Sequence, residues 1–131
     1  MIAPLHNIKL KGVLWYQGES NTAKPLRYSQ LFTTLVNDWR HNFKQEDLPF
    51  LFTQLANLET NNNHNNWAIL RDEQRRSLNV PHTAMAVTID VGEYNDLHPQ
   101  DKKASGNVLP YVLNIPLTVK RLFIVDLYTR K

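Results

Sequence analysis

The feature that most constrains this chain is the alternation of two apolar patterns. Three short β-rich runs, Val13–Tyr16, Phe50–Leu55 and Ala84–Ile89, are separated by stretches whose apolar residues recur at helical spacing. The first stretch is the stronger. Tyr28, Leu31, Phe32, Leu35, Val36, Trp39 and Phe43 fall three and four residues apart and form one broad face, and Pro25 suits the turn that opens it. The second stretch predicts a helix over 67–78, with Trp67, Leu70, Gln74 and Leu78 on one side, entered from a polar loop, Asn61–Asn66. Strand, helix, strand, helix, strand predicts an α/β fold with a parallel sheet and helices on both faces. There is no internal repeat. Three strands are few for such a sheet, so the pattern reads as half of a larger domain.

Composition narrows the function classes. A length of 131 residues suits one domain with a real core, and 42% hydrophobic with 21% charged residues is the balance of a globular protein. No apolar run approaches the ~20 residues of a membrane span, and Met1–His6 has no basic region leading into an apolar stretch, so neither a membrane segment nor a signal peptide is read here. The absence of cysteine excludes disulfides and thiolate metal sites. The net charge of +3 points toward nucleic acid until its distribution is examined. Residues 1–100 carry 9 basic and 10 acidic side chains, while residues 101–131 carry 6 and 2. The basic excess therefore lies in the tail and not on the organised elements, and nucleic acid is not an expected partner. His6, His41, His64 and His82 lack metal-ligand spacing, and the 4 glycines form neither a phosphate-binding loop nor a dinucleotide fingerprint. No cofactor and no metal are expected.

Two polar clusters follow strand-like runs, the position where ligands collect in an open parallel sheet. Gln17-Gly18-Glu19-Ser20-Asn21 offers amide and backbone donors of the kind that stabilise an oxyanion; as a plain turn, it would use Ser20 or Asn21 to cap a helix. Ser20 lacks the second glycine of a nucleophile elbow, since Thr22 stands there, so it is not read as the nucleophile. Asp96-Leu97-His98-Pro99 offers an imidazole able to relay protons near neutrality, a nearby carboxylate able to orient it, and a proline that restricts His98 to extended conformations. Arg71–Arg76 is most simply a solvated helix face, with Arg71 and Gln74 one turn apart and within reach of a site edge.

These residues resemble the sialate O-acetylesterase-like branch of the SGNH hydrolases. The resemblance rests on Leu10–Asn21, which follows the family string I-K-G-V-I-W-Y-Q-G-E-S-N almost throughout, on Asp38-Trp39-Arg40, Pro49-Phe50, Gln54-Leu55, Leu70-Arg71 and Gln74, and on Ala86–Asp90 leading to Asp96-Leu97-His98-Pro99. It covers roughly residues 1–106. It implies a three-layer α/β/α, flavodoxin-like fold that removes acetyl groups from sugars, sialic acid above all, by serine–histidine chemistry in proteins typically secreted or periplasmic. It implies His98 as base and Gln17, Gly18 or Asn21, with Glu19 beside them, on the oxyanion side. The wider pattern puts the acid three residues before the histidine, where Asn95 stands; either Asp96, two residues before, serves instead or a backbone carbonyl orients His98. The family's nucleophilic serine lies in an upstream G-Q-S-N-like segment not found here. The expectation is therefore the C-terminal half of an acetylesterase, inactive until an N-terminal half is supplied, with Met1 an internal position of the ancestral protein and Val13-Leu14-Trp15 and Phe50-Leu51-Phe52 left uncovered at an apolar sheet edge. An acetyl xylan esterase-like hydrolase and a non-catalytic remnant or binding module are the competing readings.

The resemblance stops at Gly106. If Gly106–Pro110 and Phe123–Leu127 are back-translated with suitable codons, one shared frame shift restores the family strings Lys-Arg-Leu-Ala and Tyr-Ser-Gly-Pro. Residues 107–131 are therefore expected to be an atypical tail read in a shifted frame, without a stable helix over 107–118.

Overall fold

The computed structural model describes residues 2–58, 64–90, 92–93 and 122–126, the last by backbone alone. Strand β1 (Gly12–Tyr16) leads through two 3₁₀ turns, Glu19–Ala23 and Pro25–Arg27, into helix α1 (Tyr28–Phe43). Strand β2 (Phe50–Thr53), helix α2 (His64–Arg76), a 3₁₀ turn at Ser77–Asn79 and strand β3 (Thr83–Ala86) follow, and β4 (Leu122–Asp126) comes last. The four strands form one parallel sheet in the order β3-β2-β1-β4. Among the described residues, no helix is long and apolar enough to cross a membrane.

Both crossovers step in the same direction along the sheet, and right-handed connections then put both helices on the same face. Strand alternation shows which side chains that face receives. Val13 and Trp15 of β1 and Phe50 and Phe52 of β2 share one core with Phe32, Val36 and Trp39 of α1 and Trp67 and Leu70 of α2. Phe32 sits at its centre, with ring contacts to Trp15, Tyr28, Phe50 and Phe52. Leu51 and Thr53 point to the opposite face and are also buried.

Several expectations shift at the ends of elements. Leu31 and Leu78 were placed on buried helix faces but are 55% and 43% exposed. Leu31 lies just outside the arc centred on Phe32 and Val36, and α2 ends at Arg76 and tightens to 3₁₀ before Leu78 can continue its face. His64-Asn65-Asn66 forms the first turn of α2 instead of the end of a loop. The open sheet edge expected at β1 is not there: β4 pairs with its whole length, from Gly12–Leu122 to Tyr16–Asp126, and β2 is a fully buried central strand. The strand at 122–126 had no counterpart in the sequence reading, and residues 107–118 lie outside the described residues.

Polar side chains hold the helices to the sheet. Helix α1 has no side-chain cap of its own; Glu73 of α2, 4% exposed, supplies it by accepting from the Ser29 N–H (3.3 Å) and the Ser29 hydroxyl. At the other end, the buried Arg40 guanidinium donates to the carbonyls of Leu48 (3.0 Å) and Pro81 (2.7 Å), tying α1 to the loops that enter β2 and β3. Gln45 binds both the N–H and the C=O of Leu10, fixing the approach to β1.

Candidate active site

The strands of a parallel sheet deliver their following loops to one end, and the Gln17 cluster sits there, directly after β1. Its amides are bound to one another. Gln17 Nε2 donates one of its two N–H groups to Asn21 Oδ1 at 2.6 Å, which turns the Asn21 amide so that its Nδ2, without an acceptor among the described residues, faces away from that contact as a free donor. The Gly18 N–H donates to the Glu19 carboxylate at 2.9 Å. Asn21 N closes the turn on Gly18 O, and the Thr22 hydroxyl binds Glu19 O. Of the expected oxyanion-side groups, Gln17 therefore spends one of its two amide N–H groups and Gly18 its backbone N–H within the loop, while Asn21 Nδ2 spends none among the described residues. Ser20 is exposed on the Glu19–Ala23 turn and makes no side-chain cap there.

Beneath this loop lies a buried bracket. The Gln17 carbonyl accepts from the Tyr28 hydroxyl (2.9 Å) and from Gln74 Nε2 (3.3 Å). Gln74, fully buried, also donates to Thr53 O at 3.3 Å and accepts from Leu55 N–H at 2.8 Å. One α2 side chain thus joins the C-terminal ends of β1 and β2. Expected at a site edge, Gln74 instead lies under the site, because its amide is consumed by three backbones. Gly18 packs closely against this bracket: a Cβ there would lie 3.1 Å from Gln74 Nε2 and 3.2 Å from Leu55 Cγ, so both side chains would have to give way by a few tenths of an ångström. Burial raises the Tyr28 phenol above its ordinary pKa, while the Gln74 and Trp15 side chains pull it back down.

The loops after β2 and β3 are locked in the same way. Gln54 Nε2 donates to Arg71 O at 3.0 Å, and the Thr88 hydroxyl donates to Gln54 O. A Cβ at Gly92 would lie 2.3 Å from the Asn57 carbonyl oxygen, so the two loops meet with backbone against backbone. Asp96 and His98 lie outside the described residues. Tyr28, Glu73 and Gly92 were not singled out from the sequence as parts of this support; the only signal was the placing of Gln54-Leu55 and Gln74 among the family's matching residues. Among the described residues, no group of three His, Asp or Glu side chains could hold a metal ion.

A parallel α/β sheet carrying an amide-rich loop at the end of β1 places this chain in the class of open α/β domains whose ligand sites lie on strand-end loops. Comparison with known proteins narrows it. Residues 2–107 match the family described as carbohydrate esterase, sialic acid-specific acetylesterase, and the chain belongs to that family. It is 37% identical over 123 residues to the sialate O-acetylesterase of Mus musculus and 33% identical over 122 residues to that of Homo sapiens, with 79% of this chain aligned in each case. A solved carbohydrate acetylesterase from Xanthomonas citri superposes with a TM-score of 0.80 at 37% identity over 86% of this chain. The chain spans about a quarter of these relatives' length, 23% of each mammalian protein and 28% of the bacterial one.

Proposed function

We propose that this chain supplies the oxyanion donor and the general base of an O-acetylesterase acting on acetylated sugars, sialic acid among them. The observation that carries this reading is the Gln17–Asn21 amide pair at the end of β1, which leaves Asn21 Nδ2 as a fixed, unspent donor. A donor held in place before the reaction stabilises the tetrahedral intermediate without reorganisation. In this reading Asn21 touches the oxyanion, and Gln17, Gly18 and Glu19 hold the loop that presents it. His98 takes the proton of a serine hydroxyl as that oxygen attacks the acetyl carbon, then returns it to the departing sugar oxygen. Water, deprotonated by the same imidazole, releases acetate from the acetyl-enzyme. Asp96 orients the ring and stabilises its charged form.

The serine belongs to a segment upstream of the Gln17 string, so the described chain is expected to be nearly inert alone. Assay on an aryl acetate tests this: turnover near ordinary enzyme rates of about 1–10³ s⁻¹ that vanishes in Ser20→Ala would overturn it and make Ser20 the nucleophile. The tail is proposed to be read in a shifted frame, a reading supported by the family match ending at residue 107. Resequencing decides it, because stop codons in the alternative frame would end the idea.

A further inference from the structure

Strand β4 holds a place in the sheet that the proposed chemistry requires for another strand. It lies parallel to β1 along its whole length, with Gly12 opposite Leu122, Leu14 opposite Ile124 and Tyr16 opposite Asp126. The pairing is made by main chain. Val13 N–H donates to Pro49 O at 2.8 Å, on the β2 side. In a parallel strand both backbone groups of one residue face the same neighbour and those of the next residue face the other, so Gly12, Leu14 and Tyr16 turn theirs to β4. The same alternation makes Phe123 and Val125 the residues of β4 that face β1. Contacts of this kind are blind to side chains, and another extended segment of similar length can make them.

The chemistry says which segment that is. An oxyanion sits ~3 Å from its donor, so the serine whose attack creates it belongs beside Asn21, just beyond the C-terminal end of β1. Neighbouring strands are ~4.8 Å apart, and a serine at the end of a strand paired to β1 is one such spacing from the Gln17–Asn21 loop. Beyond β3 it would be three spacings away, ~14 Å, across the ends of β2 and β3. The β2 side of β1 is closed by a central strand buried under both helices. The remaining place is the one β4 occupies, and β4 is the terminal strand, joined to the sheet through β1 alone.

We propose that the β1 edge is the docking site for the serine-bearing strand of an upstream acetylesterase segment, and that Leu122–Asp126 is a placeholder that must leave before that segment binds. The proposal rests on the acetylesterase reading for the identity of the incoming strand, yet it is tested by binding alone. In the exchange Gly12, Leu14 and Tyr16 trade one parallel partner for another, so no backbone group of β1 ends without a partner.

The chain has no cysteine, so Leu14→Cys with Ile124→Cys introduces one possible disulfide across partner residues. Adjacent strands fall within the ~4.4–6.8 Å between Cα atoms that a disulfide spans. Binding of this full-length variant to the upstream segment of a family acetylesterase is measured by calorimetry, oxidised and reduced. Binding is expected only in the reduced form. Val125→Pro, which deletes a β4 N–H and leaves β1 unaltered, is expected to bind about tenfold or more tightly than the unaltered chain. Equal affinity oxidised and reduced, no binding by the reduced pair, or unchanged affinity in Val125→Pro would overturn the proposal. Should the variants fail to fold, hydrogen exchange on the unaltered chain decides. The added segment is expected to strip protection from the Phe123 and Val125 amides while Leu14 keeps its own, and protection left unchanged by the segment would overturn the proposal. Strand exchange without hydrolysis would sink the esterase reading and leave this result standing; hydrolysis by the oxidised pair would do the reverse.

Discussion

Gln17 Nε2 and Asn21 Oδ1 are 2.6 Å apart, the two amides of one short loop locked head to head at the end of β1. The contact separates their roles, since one N–H of Gln17 is spent in orienting the Asn21 amide. In enzyme reconstituted with its upstream half, Asn21→Ala is expected to lower kcat by about 10²–10³ with little change in KM. Gln17→Ala should cost less, because it frees the Asn21 amide to rotate without removing it. Equal kcat for Asn21→Ala and the unaltered chain would remove Asn21 from the oxyanion site.

Gln74→Leu keeps the volume but leaves the Leu55 N–H without its partner, removes the Gln74 donor from Thr53 O and leaves Gln17 O with the Tyr28 hydroxyl alone. A loss of about 2–4 kcal/mol is expected in denaturant unfolding. A midpoint unchanged from that of the unaltered chain would show that the bracket carries no stability.

The expectation of Gln74 at a site edge marks the limit of the sequence. Periodicity placed it correctly on the inner side of α2 with Trp67 and Leu70, but the charge-rich Arg71–Arg76 run suggested a site edge. Only the tertiary approach of Gln17, Thr53 and Leu55 shows that its amide is spent on three backbones. The strand and helix order was legible because each buried strand is a short apolar run and α1 repeats its aromatic face over four turns. Glu73 and Arg40 were not, since capping another element's backbone leaves no periodic trace. Strand β4 was not foreseen because residues 107–131 were read as an atypical tail and given no element, although Leu122–Asp126 is a short apolar run like β1.

Alkaline pH should destabilise the fold through Tyr28. Its folded pKa is raised above 10.0 by burial, so the folded state holds the phenolic proton more tightly than the unfolded state. The resulting stability is fully present below pH 10.0 and is lost as pH rises toward the folded pKa. Thermal melts from pH 8 to 11 should show this fall, flattened in Tyr28→Phe. A fall of the same size in that variant would assign the effect elsewhere.

Lys44 closes α1 in the left-handed region, φ 54°, where a side chain is strained. Lys44→Gly is expected to raise the melting temperature by relieving that strain, an effect of about 1 kcal/mol. A lower melting temperature would contradict this account of the cap.

The central claim, that this chain carries the base and the oxyanion donor of an acetylesterase, is tested most directly by reconstitution. The chain is co-expressed with the upstream segment of a family acetylesterase, and hydrolysis of an O-acetylated sialate is measured for the unaltered chain and for His98→Ala. Activity is expected only when both parts are present, and His98→Ala should remove nearly all of it; Asp96→Asn should cost about 10⁴-fold in kcat with Asp96 as the orienting acid. Reconstituted activity that survives intact in His98→Ala would contradict the account.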